Sequence, residues 1–123
     1  MGFFSKLLGV LPKQQPLHLN DENFEREVLR STVPVIVDVW GARCSHCKRL
    51  EPILMEIAAQ YQGRVKVCEI SAEGAPRTMQ RLEIQSTPTV LYFRAGRERE
   101  RVSGFRGNVY FEQTIHELFG IDP

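Results

Sequence analysis

A chain of 123 residues, 42% hydrophobic and 25% charged, has room for one ordinary globular domain and is neither disordered nor fibrous in composition. Sixteen basic against fifteen acidic side chains leave a formal net charge of +1, which speaks against a nucleic-acid binder working through bulk charge. No apolar run approaches the roughly 18 residues of a membrane-spanning helix, and three cysteines, an odd count, do not make a disulfide-stapled secreted scaffold.

The first twelve residues, Met1 to Pro12, are apolar but short, with one lysine and no small-x-small cleavage site. Lys6 stands where a myristoylation pattern needs Ser or Thr. The expectation is a short apolar helix or arm on a cytoplasmic protein, with export or membrane association through residues 1–12 as the alternative. Pro12 and Pro16 bracket Lys13-Gln14-Gln15 as a linker, so residues 1–16 read as an extension and residues 17–123 as the domain.

Leu17-His18-Leu19 is a short strand candidate, followed by two good helix N-caps, Asn20 and Asp21. Phe24, Val28 and Leu29 then share one side of a helix ending near Ser31. Val33 to Trp40 is nearly all β-branched or aromatic, as in a strand covered on both faces, with Asp38 interrupting it. From Cys44 the period changes: Cys47, Leu50, Ile53, Leu54, Ile57, Ala58 and Tyr61 fall on one helical face until Gly63, with Pro52 inside and a kink expected there. Val65 to Ile70 is a third strand, and Gly74-Ala75-Pro76 opens a short helix bearing Met79 and Leu82. Thr89 to Phe93 and Glu100 to Val102 flank Arg94-Ala95-Gly96-Arg97 as a hairpin. Asn108 caps a last helix striped by Phe111, Ile115, Leu118 and Phe119 and closed by Gly120. The order βαβαβαββα implies an α/β fold with a mainly parallel sheet, helices on both faces and antiparallel edge strands from the hairpin.

The chemistry concentrates in Trp40-Gly41-Ala42-Arg43-Cys44-Ser45-His46-Cys47-Lys48, at a junction of strand end and helix start where α/β sheets collect their sites. Cys44 in the first turn of the helix has its sulfur near unpaired N–H groups and the positive end of the dipole, which favour a thiolate and a nucleophile. Cys47, one turn on along the same face, suits a reversible disulfide with α-carbons about 5.5 Å apart. Two readings compete. A zinc half-site needs a second Cys or His pair, and only Cys68 and scattered histidines are available, so no metal is expected. Two structural buried cysteines are the plain alternative, weakened by their place between a buried strand and an amphipathic helix.

With these residues the chain resembles the thioredoxin family. Val37-Asp38-Val39-Trp40 is similar to the family's strand into the active site, Cys44-Ser45-His46-Cys47-Lys48 to its redox motif, and Pro52 to its helix-kinking proline. Thr87-Pro88-Thr89 resembles the cis-proline loop, Gly96 the hairpin glycine and Gly104 the glycine near the substrate groove, with no gaps needed from about Leu17 to Phe119. The resemblance implies a thioredoxin fold with a central mixed sheet, and a thiol–disulfide oxidoreductase. Cys44 attacks a client disulfide to form a mixed disulfide, and the more buried Cys47 resolves it. Asp38 resembles the buried aspartate that helps deprotonate the resolving cysteine, and a carboxylate in an apolar strand should have a raised pKa. Pro88 is expected to face the disulfide and the Thr87 backbone to pair with an extended client. Trp40, Gly104 and Phe105 supply an apolar rim, Phe105 reading equally as ordinary core. The implied partners are protein clients with disulfides and a flavoprotein thioredoxin reductase, acting on a monomer whose only redox group is the Cys44–Cys47 pair, with no other cofactor.

The sequence also departs from the family pattern. Ser45-His46 replace the usual Gly-Pro, and a histidine before the second cysteine resembles oxidising and isomerising relatives. An imidazole near Cys44 can favour its thiolate and raise the reduction potential, unless His46 is only a solvated loop residue. Arg43 replaces the usual tryptophan and adds a fixed positive charge. Glu69 stands where many thioredoxins carry a lysine beside the buried aspartate, which should push the Asp38 pKa higher. Cys68 reads as a small core side chain, a regulatory thiol being the rival. Arg94, Arg97, Arg99, Arg101 and Arg106, alternating in part with Glu98 and Glu100, read as a solvated hairpin or, more sharply, a docking surface. The rival functions are a disulfide oxidase or isomerase, and a binding module with idle cysteines.

Overall fold

The computed structural model describes residues 12–123. The apolar helix or arm expected before Pro12 lies outside the described residues. Five strands, β1 (Leu17–Leu19), β2 (Val35–Trp40), β3 (Lys66–Ser71), β4 (Thr89–Arg94) and β5 (Arg97–Ser103), form one sheet in the order β1-β3-β2-β4-β5. β3 runs parallel to both β1 and β2, while β4 is antiparallel to β2 and β5 to β4. The helices are α1 (Ser45–Gln60), α2 (Pro76–Leu82) and α3 (Asn108–Phe119), with a π-helical turn at Glu25–Leu29. The expected α/β fold with helices on both faces is therefore the observed one.

β2 is central, and Val35 through Val39 are all buried, which is why its sequence runs apolar without alternation. On one face Ile36, Val67, Val90 and Tyr92 pack against Leu50, Leu54 and Ile57 of α1 and Phe111 and Ile115 of α3. On the other, Val35, Val37, Val39, Cys68, Leu91 and Phe93 pack against Phe24 and Val28 of the π-turn and partly buried Met79 and Leu82 of α2. The β4–β5 hairpin turns on Ala95 and Gly96, both at positive φ, the pattern of a tight two-residue hairpin. Gly96 has a second constraint, because a Cβ there would stand 2.8 Å from the Leu29 carbonyl oxygen.

Three local expectations are corrected. The first helix is a π-turn rather than an α-helix; its end is closed by the Arg30 N–H, which donates to the Glu25 carbonyl, and the Ser31 N–H, which donates to the Val28 carbonyl. Asn20 does turn the chain, accepting from the Glu22 and Asn23 N–H groups. Asp21 instead reaches across to the start of α2, where it accepts from the N–H groups of Arg77 and Thr78 and the Thr78 hydroxyl. Gly107 rather than Asn108 is the N-cap of α3; the Asn108 amide donates to Glu56 on α1 at 2.7 Å, a contact between helices that outweighs a local cap.

Candidate active site

Trp40 ends the central strand β2, and after a short loop α1 begins. Cys44 is the N-cap of α1, in extended conformation, one step earlier than its expected place in the first turn. The physical reason for expecting a nucleophile there still holds: its Sγ accepts from the Cys47 N–H at 3.2 Å, one of the helix's otherwise unpartnered donors. Cys44 and Cys47 are disulfide-bonded with Cα atoms 5.2 Å apart. Cys44 is half-buried and Cys47 buried.

Behind the pair lies a cleft of about 380 Å³ lined by Asp38, Trp40, Cys47, Lys48, Glu51, Leu54 and Glu69, and also by Gln15 and Pro16. Asp38 is 5% exposed and its Oδ1 has no hydrogen-bond partner. Burial pushes its carboxyl up to about 7, and the charges of Glu69 and Glu51 push in the same direction. Glu69 thus acts in the direction expected of it, although burial is the larger cause.

Glu69 is itself clamped. Its Oε1 accepts from the Trp40 indole N–H at 2.6 Å, and its Oε2 lies 2.7 Å from Nδ1 of His18. In register, His18 faces Glu69 across β1–β3, and Glu69 faces Asp38 across β3–β2. Directly paired residues share a face of the sheet, so the three make a polar row whose Asp38 and Glu69 line the cleft with Cys47, with Trp40 two residues beyond Asp38 on the same face. Sequence reasoning missed His18, Gln15 and Pro16 at this site. The signal for His18 was its place in a parallel strand opposite Glu69, which needs the strand order before it can be read.

Trp40 is thus half-buried and hydrogen-bonded rather than simply an apolar rim. The Thr87–Pro88 peptide is cis. Thr87 lies against the loop after β2, since a Cβ on Gly41 would stand 2.9 Å from its Oγ1. Gly104 joins the same edge, its N–H donating to the Pro88 carbonyl at 3.0 Å. Phe105 is half-buried and packs against the core, with the Arg49 guanidinium 4.4 Å above its ring. Arg43 and His46 are exposed beside Cys44, and neither side chain makes a hydrogen bond among the described residues.

Cys68 is fully buried, and burial pushes its thiol up to about 12, which suits the core reading. The hairpin arginines are partly engaged: Arg101 pairs with Glu98 and donates to the Leu82 carbonyl, and Arg94 donates to the Phe119 carbonyl. Among the described residues no group of three or more His, Cys, Asp or Glu is placed to hold a metal ion. No helix among them is long and apolar enough to cross a membrane.

A disulfide closed across the first turn of a helix, at the C-terminal end of the central strand of a mixed sheet, is the arrangement of a thiol–disulfide oxidoreductase. Residues 15–117 match the family model described as Thioredoxin, and the chain belongs to the thioredoxin family. It is 34% identical over 99 residues to thioredoxin 1 of Nostoc sp., covering 80% of this chain and 92% of that one. It is 42% identical over 78 residues to the thioredoxin of Thiocapsa roseopersicina, covering 63% and 86% respectively. Against the thioredoxin of Rickettsia conorii the identity is 38% over 86 residues, 70% of this chain and 82% of the relative.

Proposed function

We propose that the protein reduces disulfides in protein clients through a mixed disulfide, with Cys44 as nucleophile, Cys47 as resolving thiol and Asp38 as the proton acceptor between them. In the reduced protein the Cys44 thiolate attacks one client sulfur; the client S–S bond breaks, a Cys44–client bond forms and the departing sulfur takes up a proton. Cys47 then passes its proton to the Asp38 carboxylate and attacks the Cys44 sulfur. The client leaves as a dithiol, reduced by two electrons, and the protein is left as the Cys44–Cys47 disulfide. Return to the dithiol requires a reductant, for which a flavoprotein thioredoxin reductase is the proposed donor. Residues 17–123 are the proposed working unit, with 1–16 an extension whose end lines the Asp38 cleft.

One observation carries this reading: the bonded cysteines lie at the N-terminus of α1, and Cys47 shares a cleft with a buried carboxyl that has an unpartnered oxygen. Near pH 7 such a carboxyl is poised between its two forms and can both take and release a proton. Pro88, the Thr87 backbone and Gly104 are the proposed client edge, with Trp40 and Phe105 flanking it.

The test is insulin-disulfide reduction coupled to a thioredoxin reductase and its nicotinamide reductant. The native protein is expected to turn over, Cys44→Ser to fall to background, and Cys47→Ser to accumulate a client adduct through Cys44. Turnover retained in Cys44→Ser overturns the assignment, and none in the native protein favours a binding module.

The runner-up, a more oxidising couple suited to disulfide formation or isomerisation, draws support from His46 and Arg43. Both stand exposed beside Cys44, where positive charge favours the thiolate and hence the reduced form.

A further inference from the structure

The arginines of this molecule divide into those already engaged with carboxylates and those that are not. Among the described residues, Arg26, Arg30, Arg77 and Arg101 each have a carboxylate oxygen within the 4.0 Å of an ion pair. Arg49 and Arg106 have none, yet both are held in place. The Arg49 guanidinium sits 4.4 Å over the Phe105 ring. Arg106 donates to the Phe105 carbonyl at 2.8 Å and lies 5.4 Å from the centroid of Tyr110. Its Nη1 is also 3.6 Å from where a Cβ on Gly104 would stand, and Gly104 is hydrogen-bonded to Pro88. Two cations, one on the Phe105 ring and one on the Phe105 carbonyl and the Tyr110 ring, therefore border the same loop as the cis-proline.

A guanidinium resting on a ring keeps its charge and most of its planar donor fork while losing part of its side-chain freedom in advance. Pairing it with an incoming carboxylate then costs less ordering than pairing a free surface side chain. The cleft on the Asp38 side carries the opposite sign, with Glu51 and Glu69 lining it alongside Lys48. Glu73 lies by the loop after β2, its carboxylate 3.4 Å from the Ala42 N–H. A negatively charged client segment thus meets attraction at the Gly104 edge, and a positively charged one does not.

We propose that Arg49, mounted on the Phe105 ring, and Arg106, held by the Phe105 carbonyl and the Tyr110 ring, form a selectivity surface for client segments bearing carboxylates beside the reacting cysteine. The inference rests on the oxidoreductase reading above and adds the class of client. The step is the same exchange: the peptide disulfide takes two electrons and two protons, and the Cys44–Cys47 dithiol becomes the disulfide.

The experiment uses the full chain, pre-reduced and freed of reductant, in single turnovers with three synthetic peptides. Each carries one intramolecular disulfide, and they differ only in having Asp, Ser or Lys on both sides of the cysteines. The Asp peptide is expected to react faster than the Lys peptide by roughly three- to tenfold, the span of two exposed ion pairs. The gap should narrow at high salt. Arg49→Gln with Arg106→Gln should flatten the ranking and Arg49→Glu with Arg106→Glu should reverse it. Equal rates for the Asp and Lys peptides in the native protein, or a preference for Lys, overturn the surface while leaving the oxidoreductase reading intact. Failure to reduce any of the three removes that reading, and this one with it.

Discussion

Two places in this chain carry sulfur, and they differ in almost everything except the residue type. At the start of α1, Cys44 is half-exposed and its sulfur accepts an N–H from the helix terminus. In the middle of β3, Cys68 is fully enclosed by Leu19, Val37, Ile70 and Leu91, and burial pushes its thiol up to about 12. Donors pointed at a sulfur stabilise its anion, whereas apolar walls around it do the reverse. Asp38 combines features of both places: it is as buried as a core side chain but borders the cleft that Cys47 also lines. A carboxyl in that position keeps a proton that an exposed one has long released.

The largest effect that can test this contrast is on Asp38 itself. Between the ordinary carboxyl value of 3.8 and about 7 the folded protein holds a proton that the unfolded chain has lost. Asp38 therefore lowers stability progressively as pH rises through that window, and its cost is constant above it. In urea melts, Asp38→Asn should gain on the native protein across the window by on the order of 3–4 kcal/mol. A gap that stays constant with pH would show that Asp38 ionises normally.

A smaller effect is expected at the other end of the contrast. His46→Pro places proline in the first turn of α1, where no intrahelical bond is lost, and takes an imidazole away from Cys44. Equilibration with glutathione should show a potential lower by roughly 30 mV, equivalent to about 1.4 kcal/mol; an unchanged value makes His46 a bystander. The smallest is Cys68→Ala, expected to cost about 1 kcal/mol of stability through a small cavity and to leave insulin reduction within about twofold of native, since a buried thiol is inert. A large loss of turnover with normal stability would give Cys68 a role that its burial denies it.

Most of the architecture was legible from periodicity, because β2 and α1 have patterns that only a doubly covered strand and an amphipathic helix satisfy. The cysteine pair was legible from its place between them, and the cis-proline from the family resemblance. What escaped was whatever depends on which strands lie side by side. His18 looks like an isolated surface residue until β1 is set beside β3, and only then does it meet Glu69. Trp40 reads as a hydrophobic flank until the same Glu69 appears as its acceptor. Asp21 reads as a cap for the segment that follows it, yet it serves α2, more than fifty residues away. Local propensity cannot anticipate a partner brought in by the fold.

Gly41 has a consequence out of proportion to its size. The loop leaving β2 and the loop carrying the cis-proline come so near here that even a methyl would collide with the Thr87 hydroxyl. The absent side chain thus acts as a clearance, setting how far apart the two walls stand. A single carbon added at this spot would make the Thr87 hydroxyl turn away or the two walls move apart, without touching either cysteine.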